Sequence, residues 1–373
     1  MNVLDLIWLM AGATVPSFLV AWLAGYVVRR KALAWGLLDK PGHRKVHTNP
    51  TPMGGGLAIW AGVVLPLAVG HFLLDALAPT GSTPSDLLPH VVRENLGGIF
   101  QKVRDLWILI GLGTVLVLLG LADDRWGLPW KLRLGIETLV ALVVVACGWK
   151  FTFFVDLPWL TGAVTVVWIV GLINSFNMLD NMDGLSAGVA AIAGGMFALV
   201  TLLAPESTAG VPQLFVAGFL LVLVGAACGF LVHNQPPARL FMGDAGSYFI
   251  GYWLAIGTVL ATFAQPGLPR HTILAPLCVL AVPIYDTVTV ILIRLRAGKS
   301  PFEGDKNHFS HRLVSLGMTK PQAVLTIYLV TVTTGLGALL LYQVPTIAGA
   351  VVILLLVCCV LAVIAVLENA GKR

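Results

Sequence analysis

Charge is what this 373-residue chain has least of: 11% of its residues are charged and 58% are hydrophobic. Soluble domains carry about 25% charged residues, so a water-facing globular surface is excluded. Cysteine is also sparse. Cys147, Cys228, Cys278, Cys358 and Cys359 all fall inside apolar runs, which excludes a disulfide framework and any thiolate metal site. A basic leader is missing too. Met1 to Asp5 carries no positive charge, and Arg29-Arg30-Lys31 follows the first apolar run, the pattern of a retained first span. No internal repeat is visible, so the inverted repeats of many transporters are absent. What remains is a series of apolar runs near the ~20 residues that cross a bilayer. Only helices and closed barrels satisfy their backbone in hydrocarbon, and these runs have helix length. The expectation is an all-α polytopic membrane protein forming one catalytic domain over 1–373.

Eleven spans are expected, near 3–28, 54–77, 105–122, 132–149, 159–176, 185–204, 213–232, 247–264, 271–293, 322–342 and 346–367. With the N-terminus outside, the inside segments are 29–53, 123–131, 177–184, 233–246, 294–321 and the tail from Glu368. Of the 23 Lys and Arg, five (Arg93, Lys102, Arg104, Lys150, Arg270) fall outside. The other 18 are inside, counting Arg133 at a boundary, as the positive-inside rule requires. The C-terminus is then cytoplasmic. The net charge of +5 therefore reflects topology, and no nucleic-acid partner is expected. Outside, Asp86 to Arg93 reads as a short amphipathic helix at the interface.

Each inside loop carries an unusual polar group. The first has Arg44-Lys45-Val46-His47 before Pro52-Met53-Gly54-Gly55-Gly56. Basic residues ahead of a helix start suit an anion, because the first N–H groups are free; topogenic charge alone is the plain alternative. The second pairs Asp123 with Asp124, followed by Arg125, Lys131 and Arg133. Adjacent carboxylates at a span end need a cation or a basic partner. In the third, Asn174, Asn177, Asp180 and Asp183 recur every three residues before Gly184. On a helix that spacing spreads the four over about half the circumference, so convergence is easier if the helix breaks or tightens near its end, and Gly184 permits a break. These hard oxygen donors suit Mg²⁺ or Mn²⁺. The fourth runs Phe241-Met242-Gly243-Asp244-Ala245-Gly246-Ser247, where Asp244 or Ser247 could equally serve as a helix cap. The fifth holds Lys306, His308, His311 and Arg312 after Asp286, a donor cluster suited to phosphate or sugar. Acids for a divalent metal and bases for polyanions on one membrane face suit phosphoryl transfer.

The motifs at 123–124, 174–185, 241–247 and 305–313, with Lys45-x-His47 before Pro52-x-Gly54-Gly55, resemble in content and order the polyprenyl-phosphate N-acetylhexosamine-1-phosphate transferases. The resemblance implies a Mg²⁺-dependent transfer of sugar 1-phosphate from a UDP-N-acetylhexosamine to undecaprenyl phosphate. UMP is released and a cell-envelope glycan begins on a lipid carrier in the bacterial cytoplasmic membrane. It further implies Asn177 and Asp244 as metal ligands, Asp123, Asp124, Asp180 and Lys131 as catalytic, and Asp183 with Phe241 around uracil. Lys45, His47, Asn174, His308, His311 and Arg312 would contact substrate; a homodimer stays open. Two positions depart from the pattern. Asn181 stands where glycine is usual, and Ser310 where the GlcNAc-type branch has a histidine, which leaves the sugar open among UDP-GlcNAc, UDP-GalNAc, a di-N-acetylated sugar and UDP-MurNAc-pentapeptide. The branch expected is the GlcNAc type. A cation-coupled transporter would need carboxylates within spans, where only Glu137 and, near an end, Asp286 are found. A CDP-alcohol phosphotransferase needs Asp-Gly followed by Ala-Arg, which Asp183-Gly184-Leu185-Ser186 does not supply.

Overall fold

Apolar runs become helices here because hydrocarbon offers no partner to a free backbone N–H or C=O. The computed structural model describes residues 3–39, 50–78, 87–152, 157–203, 213–261, 269–302 and 304–370. Lys45 and His47 lie outside the described residues.

The long helices are α1 (Val3–Trp35), α2 (Gly55–Leu77), α3 (His90–Trp126), α4 (Trp130–Ala146), α5 (Pro158–Leu179), α6 (Leu185–Leu202), α7 (Leu214–Asn234) and α8 (Gly243–Leu260). A 3₁₀ turn (Arg270–Leu274) leads into α9 (Ala275–Val279) and α10 (Ala281–Arg296). A short α11 (Phe309–Ser315) precedes α12 (Lys320–Gln343) and α13 (Ile347–Ala370). Each expected span therefore falls on one helix or on the α9–α10 pair. A two-residue antiparallel pair, β1 (Leu38–Asp39) with β2 (Thr51–Pro52), is the only β-structure among the described residues.

Among the described residues, eight helices are long and apolar enough to cross a membrane, or nine if the pair around Leu280, bent by 69°, counts as one. The bend has a local cause. Pro283 has no N–H for the Val279 carbonyl, and its ring crowds that oxygen. Neither α4 nor α8 is among the eight. α4 has 17 residues, and α8 holds Asp244 in its first turn and carries Tyr248, Tyr252 and Trp253. Its middle is buried without interruption from Ala245 to Val259, so protein, not lipid, surrounds it and it need not be uniformly apolar. Its polar tips are bonded inward: Trp253 Nε1 donates to Phe219 O at 2.7 Å and Tyr252 OH to Leu109 O at 3.1 Å. α13, in contrast, exposes Val352, Leu355 and Val366, as a lipid-facing helix should.

Glycine sets how closely α8 is approached. A Cβ on Gly56 of α2 would lie 2.2 Å from Gly246 N, and one on Gly120 of α3 would lie 2.2 Å from Ala245 N. Small residues let membrane helices meet backbone to backbone, and here they bring two helix ends against the start of α8.

Of the interfacial helix expected over 86–93, Asp86 lies outside the described residues and the rest is not a separate helix. Residues from His90 onward form the first turns of a continuous 37-residue α3. Asn95 Nδ2→Val91 O at 2.8 Å and the Lys102–Asp105 pair at 3.3 Å extend it along one face, and no proline interrupts it.

Candidate active site

Five segments meet at one end of the bundle: the last turn of α3, the start of α4, the α5–α6 turn, the segment before α8, and α11 with its preceding loop. Gly127 (φ 65°) ends α3 in the left-handed region, where glycine is favoured. Asp123, 7% exposed, accepts from Leu128 N at 2.7 Å, Arg133 Nη1 at 2.6 Å and Tyr248 OH at 3.0 Å. It ties α3 to α4 and α8. Asp124 accepts from Asp244 N at 2.8 Å and Ala245 N at 3.4 Å, so the start of α8 is capped by a carboxylate 120 residues away. A helix N-terminus favours such a charge. Gly243 makes room for it: φ is 73°, and a Cβ there would sit 2.5 Å from Asp124 Oδ2.

The expected break between Asn174 and Asp183 is present. α5 ends at Leu179, Asp180 caps it, and Gly184 (φ 77°) opens α6. The turn is pinned by Gly184 N→Asn234 Oδ1 at 2.9 Å and by Tyr328 OH→Gly184 O at 2.5 Å. The four polar residues then part company. Asn174 Nδ2 donates to buried Glu137 at 2.5 Å and to Val170 O at 2.9 Å. Asn177 Nδ2 reaches Asp244 Oδ1 at 2.6 Å and Ser247 Oγ at 3.2 Å. Asp183 Oδ2 accepts from Ala238 N at 3.0 Å. Asp180 stays among the acids: burial, then the charges of Asp124 and Asp183, push it up to about 7.

The sign of that shift gives a prediction. A carboxylate raised in the folded state supports folding fully below its unfolded value of 3.8 and loses that support as pH rises through about 7. Asp180→Asn should therefore melt several degrees above the unmodified protein at pH 8 in EDTA. The gap should close toward pH 4. Thermal scans in detergent at the two pH values check it, and an equal gap at both would refute the burial of this charge.

The histidine segment is held from beneath. Asp286, 0% exposed on α10, accepts from His308 Nδ1 at 2.9 Å and Phe309 N at 2.5 Å. That fixes one imidazole nitrogen and leaves Nε2 for a ligand. Arg294 grips Asp305 in two places, at 3.2 and 3.1 Å, and donates to Pro301 O at 2.6 Å. Burial opposes the Asp305 charge, but hydrogen bonds from Arg294 and Asn307 hold it at about 2. His311 is lowered by burial, then by the charges of His308 and Lys306. The two departures noted in the sequence touch: Ser310 Oγ donates to Asn181 Oδ1 at 2.5 Å, fastening α11 to the turn that carries Asp180 and Asp183.

Three expected features stand elsewhere. The helix-start N–H groups at Gly55 and Gly56 are not free for an anion; they donate to Phe241 O and Met242 O, both at 2.9 Å. Phe241 N donates to Pro52 O at 2.9 Å, so this glycine turn is a backbone clasp. Arg312 uses all three guanidinium nitrogens on protein: Glu368 at 2.9 Å, Asn307 O at 2.5 Å and Thr289 Oγ1 at 3.0 Å. Lys131 is exposed, with Nζ 5.7 Å from the Trp130 ring centre, and Trp130 stacks on Phe302 at 4.1 Å. Lys131 and Trp130 open a groove of about 640 Å³ that runs along α4 past Leu134, Gly135, Thr138 and Leu142. Arg133, Tyr248 and Asn234 carry more of the site than the sequence suggested. Arg133 was visible as a third cation ten residues after Asp123, behind Arg125 and Lys131; a tyrosine inside an apolar run gave no signal.

No group of three or more His, Cys, Asp or Glu among the described residues is arranged as a complete metal site. Asn177 and Asp244 form a two-residue oxygen-donor pair, since a half-turn of the amide presents its Oδ1. Mg²⁺ is commonly held by one or two carboxylates together with substrate phosphates, so the donor set fits a cation shared with a diphosphate.

Comparisons with known proteins place the chain among polyprenyl-phosphate sugar-phosphate transferases. The profile described as "Glycosyl transferase family 4" matches residues 106–262, the stretch from α3 to just past α8. The chain is 32% identical over 338 residues to a Bacillus subtilis (strain 168) protein named "Probable undecaprenyl-phosphate N-acetylglucosaminyl 1-phosphate transferase", covering 88% of this chain and 84% of that one. It is 31% identical over 342 residues to a Mycolicibacterium smegmatis "Decaprenyl-phosphate N-acetylglucosaminephosphotransferase" (86% and 78%). With the Escherichia coli K12 "Undecaprenyl-phosphate alpha-N-acetylglucosaminyl 1-phosphate transferase" the identity is 26% over 326 residues (84% and 79%).

Proposed function

The chain belongs to glycosyl transferase family 4, and from that premise we propose that it transfers N-acetylglucosamine 1-phosphate from UDP-GlcNAc to undecaprenyl phosphate. The observation that carries the reading is the contact of Asn177 with Asp244, whose helix start is gripped by Asp124. Three motifs far apart in sequence thereby meet at one point. An oxygen of the lipid phosphate attacks the sugar-bearing phosphorus of the UDP-sugar. The bond to the bridging oxygen breaks, UMP leaves with that oxygen, and the lipid diphosphate-sugar remains. A phosphate monoester has a second pKa near 6, so the attacking oxygen is largely deprotonated at neutral pH and a general base adds little. Alignment and charge compensation carry the rate.

A Mg²⁺ ion at Asn177 and Asp244 would neutralise the diphosphate. Asp123 and Asp124 act by position: one fixes Arg133, the other fixes the start of α8, and neither carboxylate is left without a protein donor. We assign Asp180 to the same cation environment, where a nearby positive charge keeps it ionised. Asp183 and Phe241 face uracil, with Asp183 oriented by the Ala238 N–H. His308, set by Asp286, and His311 present donors to phosphate or sugar. Arg312 serves as the anchor of α11, in place of a direct substrate contact, and Asn174 as the partner of Glu137. The apolar groove beside Lys131 suits a polyisoprenoid chain with its phosphate at the lysine.

The reading includes eleven crossings, a single catalytic domain, an outside N-terminus, a cytoplasmic C-terminus and a bacterial cytoplasmic membrane. The eleven helical bodies and the distribution of Lys and Arg support it. A cysteine introduced at Ser300 should react with a membrane-permeant maleimide in intact cells and resist an impermeant one. Labelling by the impermeant reagent would reverse the orientation.

The deciding experiment incubates purified protein with undecaprenyl phosphate, Mg²⁺ and single UDP-sugars, following UMP. Release with UDP-GlcNAc above UDP-GalNAc is expected. No release with any UDP-N-acetylhexosamine would sink the proposal.

A further inference from the structure

A basic cleft lies beside the acids, and none of its arginines takes part in the chemistry above; only its Ala238 wall touches that site, through Asp183. Arg29 and Arg30 at the end of α1, Thr51 and Pro52 of β2, and Ala238-Arg239 before α8 line a cavity of about 580 Å³. Its walls are fixed. Arg29 lies 5.9 Å over the Tyr26 ring, with Nη1 3.5 Å from His233 Nδ1. Arg239 N donates to His233 O at 2.8 Å, and Ala238 is tied to Asp183. Neither Arg30 nor Arg239 has a carboxylate partner among the described residues. Three guanidinium groups from two separate segments repel one another unless an anion sits between them, and arginine matches a phosphate with paired N–H donors.

The surface leading to the cleft says what carries that phosphate. Leu19, Leu23 and Val27 are 44%, 56% and 56% exposed, and Arg30 follows them at helical spacing of four, four and three residues. One face of α1 is thus an apolar stripe ending in a guanidinium. Tyr26, 41% exposed, stands at the same level, as aromatic residues do at a bilayer interface. A soluble anion would have no use for the stripe; an acyl chain would lie along it. We propose that Arg29, Arg30 and Arg239 bind the phosphate headgroup of an anionic membrane phospholipid whose acyl chain follows Leu23 and Val27 of α1.

The test is thermal unfolding of the full-length protein in detergent with added phosphatidylglycerol, phosphatidylcholine of the same chains, or inorganic phosphate. Phosphatidylglycerol alone should raise the midpoint by several degrees. The double variant Arg30→Gln, Arg239→Gln should lose that rise, while KM for UDP-GlcNAc and for undecaprenyl phosphate stays within about twofold. An undiminished rise in the variant overturns the site. An equal rise with inorganic phosphate overturns the lipid as its source. A tenfold or greater increase in either KM assigns the cleft to substrate and overturns the proposal. Should the double variant not fold, Arg30→Lys, Arg239→Lys is compared by native mass spectrometry. Fewer retained phosphatidylglycerol molecules are expected, and unchanged retention overturns the site. The lipid readouts do not depend on transferase activity.

Discussion

Asp244→Ala should lower turnover by about a thousandfold, the scale for losing a group aimed at developing charge, and remove the response of the residual rate to Mg²⁺. The reasoning starts from the contacts of this side chain. Asp244 Oδ1 meets Asn177 at 2.6 Å, and Oδ2 lies 3.8 Å from Arg133 Nη1. Its backbone N–H is separately committed to Asp124, so alanine keeps that bond and the start of α8 stays in place. The variant loses a carboxylate without losing the helix that presents it. Asn177→Ala should follow with a smaller loss, because an amide oxygen contributes less charge than a carboxylate. Initial rates of UMP formation across a Mg²⁺ titration measure both. Full activity in Asp244→Ala would remove this residue from the cation pair.

Asp286→Ala should cost roughly 10–100-fold in kcat/KM, the range for groups that orient a ligating or catalytic imidazole. Asp286 is buried and holds both His308 Nδ1 and Phe309 N. Alanine frees the ring to rotate and leaves an N–H without its acceptor, which itself costs about 1–3 kcal/mol of stability. Asp286→Asn separates the two effects. Its amide oxygen can still accept from Phe309 N, so the melting temperature should recover most of the loss. Its amide nitrogen cannot accept from His308 Nδ1–H, so kcat should stay depressed. Parallel recovery of stability and kcat in the asparagine variant would reduce Asp286 to a packing role.

Much of the architecture was legible in the residues. Each expected span has a helical body, because hydrocarbon forces backbone hydrogen bonds inside each segment and the apolar runs announce where that happens. The helix break before Gly184 and the clustering of polar motifs at one end were legible for the same local reason. Length and mean hydropathy alone would set aside two of those bodies, the 17-residue α4 and the more polar α8, although the runs at 132–149 and 247–264 mark both. α8 is wrapped by protein, so Asp244, Tyr248 and Tyr252 are tolerated there, and a transfer scale cannot see neighbours.

The site divides differently. The sequence alone determined which residue types were available: carboxylates and amides of one hard-donor kind, with basic groups on the same side of the membrane. Only the tertiary structure decided how each is used. Asp124 became the cap of α8, Gly55 and Gly56 turned their N–H groups onto the 241–242 backbone, Arg312 closed on Glu368, and Asn174 turned to Glu137. Every one of these partners is tens to more than a hundred residues distant. Helix formation is a contract among residues four apart and is written in composition and period. The pairing of a buried charge is set by whichever donor the packed helices bring within about 3 Å, and no pattern along the chain encodes that distance.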